Sequence, residues 1–183
     1  MFREITADRH VTWQPSLLGG DPPGFATGTD VLFHEILETA PWQAYERPMY
    51  DRIVDVPRLT TKGWDDRPPV LAEMAHALGR RYGVPLPSIS ANLYRDGRDS
   101  VAWHGDQIGR HRAEAIVAIL SLGDTRKLLL RPDGGGPSTS FPLHAGDLLV
   151  QGGTCQRTFE HCVPKQAHAG PRISVMFRER MGN

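Results

Sequence analysis

Beyond Ser88, glycine and proline recur so often that the chain is left as short apolar and β-branched runs, which favour strands over helices. The runs are Ser88 to Arg95, Ala115 to Leu122, Lys127 to Arg131, Thr139 to Leu143, Asp147 to Gln151, Arg157 to His161 and Arg172 to Arg178. Seven short strands predict a jelly-roll or barrel-like double sheet. Upstream, helical spacing is expected from about Asp30 to Thr39, where Leu32, Phe33, Ile36 and Leu37 recur behind the cap candidates Thr29 and Asp30, and Pro41 stops the pattern. A second helix is expected from Pro69 to Tyr82, with Leu71, Met74, Ala75, Leu78 and Tyr82 as its stripe and Gly83 as its end. Glu46 to Asp66 shows no sustained period and reads as a partly ordered flap or edge element. The fold class expected is mainly β with flanking helices (α+β).

A length of 183 residues suits one domain, because a second core would leave each half thin. Lys and Arg total 21 and so do Asp and Glu, so there is no global basic field of the kind that many tight nucleic-acid binders use. Any contact with nucleic acid must rest on a local patch. Two cysteines, Cys155 and Cys162, are too few for a disulfide framework and lack paired zinc spacing. The charged start and the absence of an 18-residue apolar run predict a soluble protein in a reducing, cytoplasmic setting, without a membrane role.

His104 and Asp106 stand two apart around Gly105, so in an extended backbone both side chains leave the same face. His161, far downstream, is a candidate third ligand if an adjacent strand brings it over. Two imidazoles and one carboxylate form the facial triad of non-haem Fe(II) oxygenases, which leaves coordination positions open for an organic co-substrate and dioxygen. The strand Arg172 to Arg178 places Arg172, Ser174, Met176 and Arg178 on one face, its two arginines about 20 Å apart along the backbone. A guanidinium fork matches a carboxylate in two places, as a dicarboxylate such as 2-oxoglutarate requires. Asn92 and Tyr94 share a strand face from which both can hydrogen-bond a bound acid.

The ordered set Asn92-x-Tyr94-x-Asp96-Gly97-x-Asp99, Trp103-His104-x-Asp106, Ser121-Leu-Gly123, Gly146-Asp147-Leu-Leu-Val150, His161-x-Val-Pro164-Lys165 and Pro171-Arg172-Ile-x5-Arg178 resembles the AlkB family of nucleic-acid demethylases over about residues 50 to 180. The resemblance implies a double-stranded β-helix core over residues 86–183, with residues 1–85 as a helical buttress and substrate flap. It implies that His104, Asp106 and His161 bind Fe(II). It further implies that Arg172 pairs with the distal carboxylate of 2-oxoglutarate and that Asn92, Tyr94, Ser174 and Arg178 complete the co-substrate site, with Arg178 nearer the metal-chelating end. The implied reaction consumes dioxygen, hydroxylates a methyl group on a base nitrogen of alkylated DNA or RNA and releases formaldehyde, with no obligate protein partner.

Pro57-Arg58-Leu59-Thr60 matches the usual start of the family's flap, and Tyr50, Arg58 and Trp64 are the expected base or phosphate contacts. Trp13, Trp42 and Trp103 read as packing residues, and Arg95, Arg98, Arg110, Arg112 and Lys165 as a possible basic rim. The chain departs from the family pattern at Thr61-Lys62-Gly63-Trp64, at Gln107 and at Ser174, where the family often has Asn. These departures leave base preference open. A 2-oxoglutarate oxygenase acting on a protein or small molecule is the alternative, and a non-catalytic jelly roll is the second.

Overall fold

A computed structural model describes residues 3–4, 11–14, 25–49, 52–61, 63–106, 108 and 113–180, with side chains described from residue 28 onward except 45–55. The larger sheet holds β1 (Arg3–Glu4), β2 (Val11–Gln14), β3 (Trp42–Met49), β4 (Arg52–Thr61), β5 (Ser88–Tyr94), β7 (Val117–Gly123), β10 (Leu148–Gln151) and β12 (Arg172–Arg178). Its order is β1-β2-β10-β7-β12-β5-β4-β3. The smaller sheet holds β6 (Val101–His104), β8 (Arg126–Pro132), β9 (Thr139–Leu143) and β11 (Phe159–Val163), in the order β6-β11-β8-β9. The ladders are antiparallel.

Strand parity separates two cores. Ile173, Val175 and Phe177 of β12, Ala91 and Leu93 of β5, and Ala118, Leu120 and Leu122 of β7 face the helices α1 (Phe25–Thr39) and α2 (Pro69–Tyr82), which contribute Leu32, Phe33, Ile36, Leu71, Ala75 and Leu78. Fully burying one such side chain contributes roughly 1.5–3 kcal/mol, so this face anchors both helices. On the opposite face Val117, Ile119, Leu149 and Met176 meet Leu128, Leu130, Phe141 and Leu143 of the smaller sheet. Two facing antiparallel sheets with helices outside the larger one make the jelly-roll arrangement expected from the strand pattern. Among the described residues no helix is long and apolar enough to cross a membrane.

The second helix has the expected bounds, and Gly83 closes it at φ 73°, a left-handed turn that costs glycine little. The first begins at Phe25 rather than near Asp30. Three elements differ from the sequence pattern. Most of the stretch taken for a flap is a hairpin of β3 and β4, docked on β5 through Leu59↔Leu93 and Thr60↔Asn92. Val101–His104 is a strand too short to show a period, and Cys155–Thr158 forms one helical turn where a strand start was expected.

Candidate active site

Neighbouring β6 and β11 bring the distant imidazoles together, because His104 and His161 are direct partners across the ladder. Their ring centroids are 4.4 Å apart at 50°. Asp106 follows just past the end of β6, and one ligand atom from each of the three residues lies within 4.8 Å of the others. That spacing suits one small cation. A Cβ at Gly105 would lie 3.1 Å from the Gln156 carbonyl oxygen, so any side chain between the two ligands would press on that carbonyl by a few tenths of an ångström.

Two of the three ligands are held from behind. The Nδ1 of His104 is 2.8 Å from the Ala102 carbonyl; since a carbonyl only accepts, Nδ1 carries the proton and Nε2 keeps its lone pair. The Asp106 amide donates to Gln156 Oε1 at 3.0 Å, and Gln156 Nε2 donates in turn to Gln151 Oε1. Burial raises the pKa of Asp106, but Arg178 and the two imidazoles outweigh it and hold the carboxyl at about 2. Burial drives His161 down to about 3, so its ring is neutral near pH 7 and able to bind a cation.

Across the cleft, β12 presents Arg172, only 1% exposed. Its Nε donates to Ser121 Oγ at 3.0 Å, while its Nη2 is buried without a hydrogen-bond partner. Burial pulls this guanidinium down to about 10. A buried cation with an unused donor is what a carboxylate ligand would complete. Arg172 pairs across the ladder with Tyr94, and Ser174 with Asn92. The Tyr94 hydroxyl accepts from Arg58 Nη1 at 3.1 Å. Arg178 sits at the metal end, with Nη2 3.1 Å from Asp106 Oδ2 and Nη1 donating to Ser90 Oγ at 3.1 Å. All these groups except Ser90 and Ser121 line one cleft, with about 380 Å³ free of atoms including its mouth.

Of the expected substrate contacts that lie among the described residues, Arg58 and not Trp64 lines that cleft. Trp64 is 6% exposed and packs in the helix-side core, so it offers no free ring face and its reading as a stacking platform is corrected to a packing role. Tyr50, Arg110 and Arg112 lie outside the described residues. Arg95 and Arg98 are engaged by Asp99 and Asp96, which removes them from a free basic rim, while Lys165 is exposed. Trp103 lies 4.0 Å under the Arg131 guanidinium, and Trp42 packs at the edge of the helix-side core. Cys155 and Cys162 are free and buried, and burial pushes the Cys155 thiol up to about 12.

Sequence reasoning missed three residues. Gln151 and Gln156 form the polar prop under Asp106; the inward parity of Gln151 beside Leu149 was the available signal. Arg126, 1% exposed, donates to the carbonyls of Asp96, Asp99 and Pro164 at 3.0, 2.8 and 2.7 Å. It thereby ties together the chain leaving β5 and the chain leaving β11, with its guanidinium 5.4 Å from the Tyr94 ring. No local pattern marks an arginine whose partners are distant carbonyls.

Residues 20–178 match the family model described as the 2OG-Fe(II) oxygenase superfamily. The chain is 31% identical over 184 residues to the bovine alpha-ketoglutarate-dependent dioxygenase alkB homolog 3, covering 85% of this chain and 64% of that protein. The human alkB homolog 3 is 30% identical with the same coverage. The Arabidopsis thaliana DNA oxidative demethylase ALKBH2 is 32% identical over 146 residues, covering 66% of this chain and 46% of that one. The chain therefore spans just under two thirds of the length of the alkB homolog 3 proteins. The solved structure of OsALKBH1 superposes with a TM-score of 0.65 at 15% identity, covering 98% of this chain and 100% of that one. A Pseudomonas putida prolyl-4-hydroxylase gives 0.59 at 16%, covering 93% of each. The fold is thus shared with an ALKBH1 protein and with a prolyl-4-hydroxylase alike. On the family match and these relatives, the chain belongs to the AlkB family of the 2OG-Fe(II) oxygenase superfamily, whose cofactor is Fe(II) and whose co-substrates are 2-oxoglutarate and dioxygen.

Proposed function

We propose that this protein is an Fe(II)- and 2-oxoglutarate-dependent dioxygenase that oxidatively demethylates N-alkylated bases in DNA or RNA, acting on single strands. The reading is carried by one observation: His104, Asp106 and His161 share a cleft with a buried, under-partnered Arg172. In this reading the two imidazoles and the Asp106 carboxylate hold Fe(II). Arg172 takes the distal carboxylate of 2-oxoglutarate, with Asn92, Tyr94, Ser174 and Arg178 arranged along the molecule. Bound Fe(II) supplies the coupling of 2-oxoglutarate decarboxylation to transfer of one oxygen atom of dioxygen into a methyl C–H bond.

The chain's own residues orient and shield. Arg178 fixes Asp106, and Val101, Ile119, Leu128 and Val163 give the cleft an apolar wall that limits water. The N-hydroxymethyl product breaks its C–N bond, its hydroxyl proton returning to nitrogen as formaldehyde leaves. A base must leave its stack to reach so narrow a cleft, and that costs least in single strands. Arg58 is the contact we assign to the substrate side. The name of one relative, the Arabidopsis thaliana DNA oxidative demethylase ALKBH2, supports nucleic acid as the substrate class. We read residues 86–183 as the catalytic core and residues 1–85 as its buttress and flap.

The burial of Trp64 and the zero net charge favour a protein or small-molecule substrate as the second reading. Succinate and formaldehyde release should be measured with N-methylated and unmodified single-stranded oligonucleotides. Methylated strands should stimulate both products; equal succinate with either strand and no formaldehyde would overturn the nucleic-acid reading.

A further inference from the structure

Met176 lies on β12 between Ser174 and Arg178, 4% exposed, in the wall of the same cleft. Its Cα is about 6.6 Å from that of Arg178, two residues along the strand. Met176 and the three residues His104, Asp106 and His161 line this one cleft, and Arg178, two residues on, grips Asp106 at 3.1 Å. Two donors converge on its sulfur: Asn92 Nδ2 at 3.3 Å and Ser174 Oγ at 3.4 Å. Both donors face the space assigned to 2-oxoglutarate. A co-substrate oxygen accepts such bonds far better than a thioether does, so its binding draws the donors away and frees the sulfur lone pairs. The most easily oxidised side chain of the cleft is thereby uncovered when the oxidising reaction is set up.

We propose that Met176 is a self-modification site, converted to methionine sulfoxide when turnover occurs with no substrate methyl group in place. The balance is closed by the family's own co-substrates. Dioxygen and 2-oxoglutarate give succinate and carbon dioxide, one oxygen atom entering succinate and the other bonding to the Met176 sulfur, which is oxidised by two electrons. No bond of the protein breaks and no further reductant is needed. The sulfoxide oxygen is a strong acceptor placed beside Asn92 and Ser174. It holds the donors that the co-substrate would use and fills part of its space, so uncoupled turnover shuts down the site that performed it. This inference rests on the oxygenase chemistry alone and is independent of which substrate the protein takes.

The test uses the wild-type protein with Fe(II), 2-oxoglutarate and isotopically heavy dioxygen, without nucleic acid, measuring succinate and peptide masses together. The Met176 peptide should gain about 18 Da, the mass of one heavy oxygen, in step with succinate and only with 2-oxoglutarate present. Met74 on α2, half-buried and outside the cleft, is the internal control and should stay unmodified. Succinate accumulating over an unmodified Met176 would overturn the proposal, as would equal oxidation of Met74. Met176→Leu should sustain uncoupled succinate formation about threefold longer, since it lacks the oxidisable sulfur. A half-life equal to that of wild type would refute the braking role.

Discussion

Replacing Arg172 by methionine should stabilise the metal-free protein while weakening its hold on 2-oxoglutarate. The guanidinium is 1% exposed, and burial lowers its pKa from 12.5 to about 10. That lowering corresponds to roughly 3 kcal/mol against the charged form. Methionine forfeits the bond to Ser121, worth about 1 kcal/mol, and the contact with the Tyr94 ring, worth about 1 kcal/mol more. The difference leaves a gain of about 1 kcal/mol. Co-substrate binding loses a charge-assisted fork worth about 3 kcal/mol, or roughly a hundredfold in Kd. Urea denaturation of the metal-free proteins reads the first effect, and anaerobic calorimetric titration with 2-oxoglutarate reads the second. Arg172→Lys separates charge from geometry: it should weaken binding about tenfold without any gain in stability. A methionine variant less stable than wild type, or one binding 2-oxoglutarate within about threefold of it, would refute the reasoning.

Other consequences follow from the same geometry. His161 has a folded pKa of about 3 against an ordinary 6.5, so as pH falls the unfolded chain takes up the proton first. Stability of the metal-free protein is therefore complete above about pH 6.5 and should fall by ~1.4 kcal/mol per unit towards pH 3. Asp106, held at about 2 against 3.8, adds to the loss only below about 3.8. His161→Gln should flatten the slope between about pH 6 and pH 4 in urea melts, and an unchanged slope would contradict this assignment. Arg126→Met leaves three carbonyl groups without their donor and should cost about 3 kcal/mol or more in thermal melts. Arg126→Lys should recover part of that loss, and a cost under about 1 kcal/mol would argue that water replaces the guanidinium. Gln156→Leu removes the acceptor behind Asp106 and should weaken Fe(II) uptake by about 10- to 100-fold in anaerobic titration.

The contrast between Arg172 and Arg126 shows where legibility ends. Arg172 was readable because β12 alternates cleanly, with Ile173, Val175 and Phe177 turned to the helices and the polar side chains turned away. Arg126 was not, because its meaning comes from carbonyls 27, 30 and 38 residues distant. Trp64 failed for the related reason that an aromatic residue in an irregular stretch looks alike whether it stacks on a base or fills a core. The His-x-Asp pair needed only backbone parity, whereas the pairing of His161 with His104 needed β11 to lie beside β6.

The order of side chains along the polypeptide determined which residues share a strand face, where α2 starts and stops, and that the second half of the chain makes short strands. Those properties depend on spacing of two and 3.6 residues and on turn chemistry, which are local. Only the tertiary structure decided which strands are neighbours, that Arg178 meets Asp106, that Met176 receives two donors and that Trp64 is enclosed. Such contacts arise from burying one face of each element against another, and a linear pattern states that a face is apolar without naming what covers it.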